Sequence, residues 1–176
     1  MDHPRPWLRY VDAGDLDDKT FKFDALEVAS PSGDKLGRVD GFILDVDSGR
    51  PYHVVVEAGH WFKHRRFLLP IGHVTLDPAG KKLIADVSKE RVERFPGFDR
   101  GEFDKLSTEE INRLAASTVM VCDVVADTST PWASWKSYEY PSWWEADFYR
   151  PERIGRSDEA GITTPTETST AADRRR

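Results

Sequence analysis

The sequence predicts a mainly β protein, in which a small antiparallel barrel with a short helix precedes a C-terminal helix and an aromatic-rich segment. Three observations support this class. From about Thr20 to Asp99, short apolar runs alternate with turn residues. Two of these turns, Asp47-Ser48-Gly49-Arg50 and Pro78-Ala79-Gly80, are typical of tight antiparallel hairpins. Glycines at positions 37 and 41 interrupt one long run, as expected at a bulge or sharp bend.

The first elements are six strands joined by short turns. Glycine within the second strand predicts a strongly bent sheet. The three consecutive valines of the third strand suit a strand that is covered on both faces. The predicted strands are Ala25 to Ala29, Lys35 to Val46, Pro51 to Glu57, Phe67 to Pro70, His73 to Leu76 and Lys82 to Val87.

Two helices are predicted after the strands. Ser88 caps a short helix over Lys89 to Arg94, which ends at Pro96-Gly97. Ser107 and Glu110 then form a capping box that starts a second helix at Thr108, with Leu106 and Ile111 in the positions of a hydrophobic staple. Residues 118–127 combine helical spacing with β-branched side chains, so both helix and strand remain open there.

Length and charge limit the domain organisation. The chain has 176 residues, enough for one ordinary domain with appendages. The formal charge is −6, and the excess negative charge lies outside residues 20–99, which are neutral overall. This charge argues against a protein whose whole surface binds nucleic-acid phosphates. We therefore divide the chain into an N-terminal arm (1–19), which Trp7, Leu8 and Tyr10 could anchor, the barrel (20–99), a helix with a docking segment (100–152), and a tail predicted to be disordered (153–176).

The expected compartment is the cytoplasm. The single cysteine, Cys122, excludes an internal disulfide and a multi-cysteine metal site, and it is expected to be a small buried residue. No stretch approaches the roughly 18 apolar residues of a membrane span, and the N-terminus lacks the apolar core of a signal peptide.

Residues 132–149 hold eight aromatic side chains, whose exposure to water would be unfavourable. This segment is expected to dock on its own barrel or on another chain, and both alternatives stay open. Its four tryptophans are candidate partner-binding residues: Trp132, Trp135, Trp143 and Trp144.

The loop that follows Gly59 combines aromatic and basic side chains on an otherwise neutral unit. Such a loop can be a solvated hairpin tip, a site for a protein partner, or a site for phosphate or single-stranded RNA. Its candidate partner-binding residues are Trp61, Phe62, Lys63, His64, Arg65 and Arg66.

No catalytic, cofactor or metal site is expected. His53, His60, His64 and His73 lie close in sequence, but they do not form a recognised zinc motif. His53 and His73 fall on predicted strands, where a hydrogen-bonded structural histidine is the commoner role. Carboxylates suited to acid–base catalysis are present, but nothing in the sequence predicts that they converge on a substrate.

The stretch from Ala25 to Phe98 resembles the PRC-barrel family. The resemblance rests on Lys35-Leu36-Gly37-Arg38-Val39-Asp40-Gly41-Phe42-Ile43-Leu44-Asp45-Val46, Ser48-Gly49-Arg50-Pro51-Tyr52-His53-Val54-Val55-Val56, Phe67-Leu68-Leu69-Pro70, and Lys89-Glu90 through Phe95-Pro96-Gly97-Phe98. This family includes the cytoplasmic part of the photosynthetic reaction-centre H subunit, the C-terminal domain of a ribosome-maturation factor, and soluble stress-associated bacterial proteins.

The resemblance implies a stand-alone, non-enzymatic barrel with a Trp/Tyr-rich C-terminal piece. We therefore expect a protein-protein interaction or assembly adaptor, possible self-association, and a connection with stress. The alternative is an RNA- or ribosome-associated factor that binds through the basic and aromatic loop at residues 59–66.

Overall fold

The computed structural model describes residues 8–16, 22–24, 26–59, 66–79, 81–122 and 137–144. Within these ranges the protein is mainly β, which confirms the predicted fold class. No helix in the described part of the chain is both long and apolar enough to span a membrane. Much of the basic and aromatic loop, the tryptophans at 132 and 135, residues 123–127 and the C-terminal tail lie outside the described residues.

Seven strands in the described ranges form one sheet, and six of them match the strands expected from the sequence. The seventh, β1, lies in the segment assigned to the N-terminal arm. The strands are β1 Leu8–Asp12, β2 Glu27–Ala29, β3 Lys35–Asp45, β4 Pro51–Ala58, β5 Arg66–Pro70, β6 Val74–Leu76 and β7 Lys82–Ala85.

The sheet order is β5-β4-β3-β2-β7-β6, and β1 also pairs with β3. Five of the strand pairs are antiparallel, whereas β2 and β7 pair in parallel, so the sheet is mixed. A 3₁₀ turn over Ile71–His73 connects β5 directly to β6. The two strands at the ends of the sheet order are therefore adjacent in the chain, and this turn forms one corner of the barrel.

The long strand β3 bends because two glycines allow other parts of the backbone to approach it closely. Gly37 has a φ of 156°, and a Cβ at this position would clash with the carbonyl oxygen of Glu57. A Cβ on Gly41 would clash with the carbonyl oxygen of Val11 and with the Tyr10 ring. The β3–β4 register also shifts between Val39 and Gly41, which confirms the predicted bulge.

The turn between β3 and β4 is held by a side chain at the end of β3. The Asp45 carboxylate accepts hydrogen bonds from the backbone N–H groups of Asp47 and Ser48, and Gly49 adopts a φ of 75°. Side chains with a Cβ rarely adopt this conformation, so glycine suits the position. The predicted hairpin is confirmed, and it places Arg50 immediately before β4.

The strands enclose one apolar core, and the outer face of β3, β4 and β5 carries a second one. Val54 and Val56 point into the inner core, while Val55 packs in the outer one. This arrangement confirms that β4 is covered on both faces.

In the part of the chain that the structure describes, four helices accompany the sheet: α1 Ala13–Leu16, α2 Lys89–Val92, α3 Arg100–Phe103 and α4 Thr108–Cys122. The outer core is formed partly by Phe103 of α3 and by Ile111 and Val119 of α4. At the start of α4, the Glu110 N–H donates to Ser107 Oγ at 3.2 Å and the Ser107 N–H donates to Glu110 Oε2 at 2.7 Å. The capping box is therefore confirmed, and residues 118–122, for which helix and strand were both open, are helical.

Candidate functional site

The described part of the aromatic segment, residues 137–144, lies against the barrel corner formed by the 3₁₀ turn. We call these residues the strap. They form hydrogen bonds to five residues of the barrel, which we call the strap groove: Arg50, His53, Gly72, His73 and Val74. The groove draws on β4, the 3₁₀ turn and the start of β6, so the fold brings together residues distant in sequence.

His53 holds the strap through Tyr138. Its Nε2 lies 2.9 Å from the Tyr138 hydroxyl, and both side chains are buried. Around the imidazole lie apolar side chains from β3, β5, α3 and α4: Ile43, Leu68, Phe103, Ile111, Leu114 and Ala115. Burial in these surroundings lowers the pKa of His53 to about 3, because a charged imidazolium would lose its hydration. His53 is therefore a neutral hydrogen-bonding group near pH 7.

The residue before Tyr138 is held by the 3₁₀ turn. Ser137 Oγ lies 3.0 Å from His73 Nε2, and the Ser137 carbonyl accepts a 2.8 Å hydrogen bond from the Gly72 N–H. His73 Nδ1 lies 3.9 Å from the Asp86 carboxylate on the opposite side of the ring. Because His73 and Ser137 are both buried, these contacts position the strap without exposing polar groups.

Arg50 adds a charge-assisted contact to the same strap residue, Tyr138. One of its guanidinium nitrogens donates to the Tyr138 carbonyl at 2.8 Å, and the guanidinium carbon lies 5.2 Å from the centre of the Tyr52 ring. Tyr138 is thus fixed at both its hydroxyl and its carbonyl group.

Two tryptophans anchor the end of the strap. Trp144 is only 4% exposed, and its ring packs against Phe23 and Phe42, with centroid distances of 5.7 and 5.1 Å. Trp143 is half-buried, and its indole N–H donates to the Val74 carbonyl at 3.0 Å. The described part of the aromatic segment therefore contributes Trp144 to the protein's own core and holds Trp143 against the start of β6.

A second polar cluster lies on β1, β3 and β5. The Tyr10 hydroxyl donates to Asp40 Oδ2 at 2.7 Å, and Arg66 Nε lies 3.2 Å from the same oxygen. Burial, followed by the hydrogen bond to Asp40, raises the pKa of Tyr10 above its ordinary value. These contacts attach the N-terminal strand to the barrel and do not form an open cleft.

Three of the ten sequence-predicted partner residues fall within the described chain. Trp144 and Trp143 belong to the strap, and Arg66 belongs to the polar cluster beside Asp40. Within the described residues, Arg66 pairs with Asp40, whereas Trp143 bonds to Val74 and Trp144 packs in the inner core, so Arg66 belongs to a different cluster from the two tryptophans. The remaining seven lie outside the described residues: Trp61, Phe62, Lys63, His64, Arg65, Trp132 and Trp135.

The described part of the chain contains no group of three or more histidine, cysteine, aspartate or glutamate side chains arranged for a metal ion. One open cavity of about 210 Å³ lies beside the strap, lined in part by Ile71, Thr75, Tyr140 and Trp143. Its volume is below the roughly 300–1,000 Å³ typical of small-molecule sites. The arrangement is suited to holding a short peptide segment through hydrogen bonds and aromatic anchors.

Sequence reasoning identified His53 and His73 as hydrogen-bonded structural residues, and the structure agrees. It did not identify Arg50, Gly72, Ser137 or Tyr138 as one site. The aromatic content of residues 132–149 was the available signal, because it predicted docking without specifying the contacts.

The large hydrophobic side chains that are exposed in the described ranges both lie in the C-terminal piece. Met120 on α4 is 58% exposed, and Tyr140 on the strap is 48% exposed. Both side chains are accessible to another molecule.

Comparison with known proteins identifies the barrel region. Residues 21–92 match the family model for the PRC-barrel domain. An uncharacterized protein of Deinococcus radiodurans is 29% identical over 70 residues. This match covers 36% of the present chain and 26% of the relative, so the chain spans about a quarter of that protein's length.

Proposed function

We propose that the protein, whose residues 21–92 match the PRC-barrel domain, is a non-enzymatic interaction or assembly adaptor. The barrel serves as a platform for the C-terminal piece, and this piece presents the surface that contacts a partner protein. The observation that carries the proposal is the exposure of Met120 and Tyr140 on elements whose opposite sides are packed against the barrel. We propose further that the protein acts in the cytoplasm and has a role under stress.

The contacts that the described polar side chains make support a binding role rather than a catalytic one. His53, His73 and Arg50 are each engaged with the strap, and Arg66 is engaged with Asp40. A catalytic site instead needs a nucleophile, base or acid directed at a space that substrate can occupy. The cavity beside His53 has no room for a water-sized molecule.

RNA binding through the basic and aromatic loop stays a prediction. Of its cationic residues, Arg66 lies in the described chain, and its guanidinium is paired with Asp40. A phosphate would have to compete with that carboxylate for the same cation. No further observation favours RNA over a protein partner.

Capture of partners from the native host by the full chain tests the adaptor proposal. We expect Met120→Glu and Tyr140→Glu to abolish recovery of a specific partner protein, because a charge in a desolvated contact is unfavourable. Ser117→Glu is the matched control, since Ser117 is exposed on α4 and polar. Equal recovery of the same proteins by the wild type and by both test variants would contradict the proposal.

A further inference from the structure

The strap is held in the manner of a bound peptide. Its contacts to the groove are discrete hydrogen bonds from Ser137, Tyr138 and Trp143, together with the Trp144 side chain in the core. It contributes no strand to the sheet. A site that recognises a short segment in this way can accept the same segment from another molecule.

The chemistry of the groove is selective for the strap's own sequence. His73 and His53 bind the side chains of two consecutive residues, a serine and a tyrosine. Gly72 and Arg50 bind the carbonyl groups of the same two residues. A second copy of this chain is the partner that supplies all of these groups in the correct order.

The connection to the strap is long enough for exchange between two copies. Helix α4 ends at Cys122, where Arg91 donates to the Val121 and Cys122 carbonyls and fixes the helix to α2 of the barrel. Residues 123–136 then lead to the strap, and they can span about 46 Å when fully extended. A compact domain of about 100 residues has a radius of gyration of only about 13 Å.

From these observations we propose that the strap groove is a peptide-recognition site and that a second copy of the chain can insert its strap into it. Two chains would thereby form a dimer by mutual exchange of residues 137–144. Exchange replaces each intramolecular contact by an identical intermolecular one, so little binding energy is lost. The strap of the same chain is present at a fixed effective concentration, whereas the concentration of straps from other chains rises with the protein concentration. High protein concentration therefore favours the exchanged form.

The inference deepens the proposed function, because it names a second copy as one partner of the adaptor. The two proposals can fail separately. A chain that never exchanges its strap can still bind another protein through Met120 and Tyr140, and a chain that exchanges its strap need not bind one.

Disulfide trapping tests the exchange in full chains that all carry Cys122→Ser, so that the introduced cysteines are the ones that can react. One chain carries Gly72→Cys and a second, separately tagged chain carries Ser137→Cys, because the backbone groups of these residues are hydrogen-bonded to each other. We expect a covalent dimer of the two chains whose yield rises with protein concentration. Excess synthetic peptide of residues 137–144 should suppress it, whereas the same peptide with phenylalanine at position 138 should suppress it less.

Two controls make it possible to recognise a result that contradicts strap exchange. A chain with both Gly72→Cys and Ser137→Cys should form the disulfide internally, and Ser117→Cys paired with Gly72→Cys sets the background for random collision. Internal oxidation without a covalent dimer above that background would overturn the proposal.

Sedimentation decides the question if the internal pair does not oxidise. Exchange then predicts a wild-type dimer at high concentration that excess peptide of residues 137–144 dissociates, because the peptide occupies the groove of each chain in place of the partner's strap. A wild type that remains monomeric over the full concentration range would overturn the proposal.

Discussion

At the scale of single residues, His53 connects the barrel with the strap and makes folding sensitive to pH. The folded state holds its pKa at about 3, whereas an exposed histidine has a pKa near 6.5. Between these values the unfolded chain binds more protons than the folded one, so the free energy of unfolding falls as pH falls. The contribution of His53 is fully present above about pH 6.5 and is lost progressively toward pH 3.

The His53→Gln variant tests this linkage. Glutamine can keep a hydrogen bond to the Tyr138 hydroxyl but does not titrate. Between about pH 7.5 and pH 5, we expect the wild type to lose about 2 kcal/mol more of unfolding free energy than the variant. Denaturant unfolding at both pH values measures the difference, and an identical pH dependence of the two proteins would show that His53 is not held neutral.

A second prediction at this scale concerns Gly41, where β1 approaches β3. A Cβ there would meet the Val11 carbonyl oxygen, which cannot move without distorting the β1–β3 pairing. We expect Gly41→Ala to lower the free energy of unfolding by about 1 to 3 kcal/mol. Gly59→Ala is the control, because an added Cβ at Gly59 meets nothing within 4 Å. Equal melting temperatures for the two variants would count against this contact.

At the scale of elements, the start of α4 depends on a local pattern. Ser107 and Glu110 satisfy each other's backbone N–H groups at the helix N-terminus. We expect Ser107→Ala to destabilise the protein by about 1 kcal/mol in thermal or chemical unfolding. Ser117→Ala, in the exposed middle of α4, should have little effect by comparison, and a similar loss in both variants would argue against a specific capping contribution.

Elements defined by local sequence were predictable. The Asp45 to Arg50 turn, the capping box at Ser107 and the bend at Gly41 each follow from neighbouring residues, and the structure confirms them. Strand β1 was harder to recognise, because it is short and its pairing with β3 joins residues 29 to 37 positions apart. Its residues carry little local signal of that partner.

The contacts in the strap groove could not be predicted from local sequence patterns either. His53 and Tyr138 are 85 positions apart, and His73 and Ser137 are 64 apart. The sequence showed that the aromatic side chains had to be buried, but many surfaces could have buried them. The choice of this barrel corner depends on the space between β4, the 3₁₀ turn and β6, which exists only after the sheet has formed.

At the scale of the whole molecule, the barrel and the C-terminal piece form one structure with two cores. The outer face of β3, β4 and β5 is covered by α3, α4 and Tyr138, and the inner core is completed by Trp144. Small barrels bury a limited share of their surface, so these added contacts are expected to contribute substantially to stability. The same arrangement leaves Met120 and Tyr140 exposed, which connects stability with the proposed adaptor role.

The most direct test of this account compares the free energy of unfolding of chains that end at residue 136 and at residue 144. The two differ only in the strap. We predict that the shorter chain is less stable by at least about 3 kcal/mol, because it lacks Trp144 in the core and the hydrogen bonds to His53 and His73. Equal stability of the two chains would contradict the claim that the strap completes the barrel.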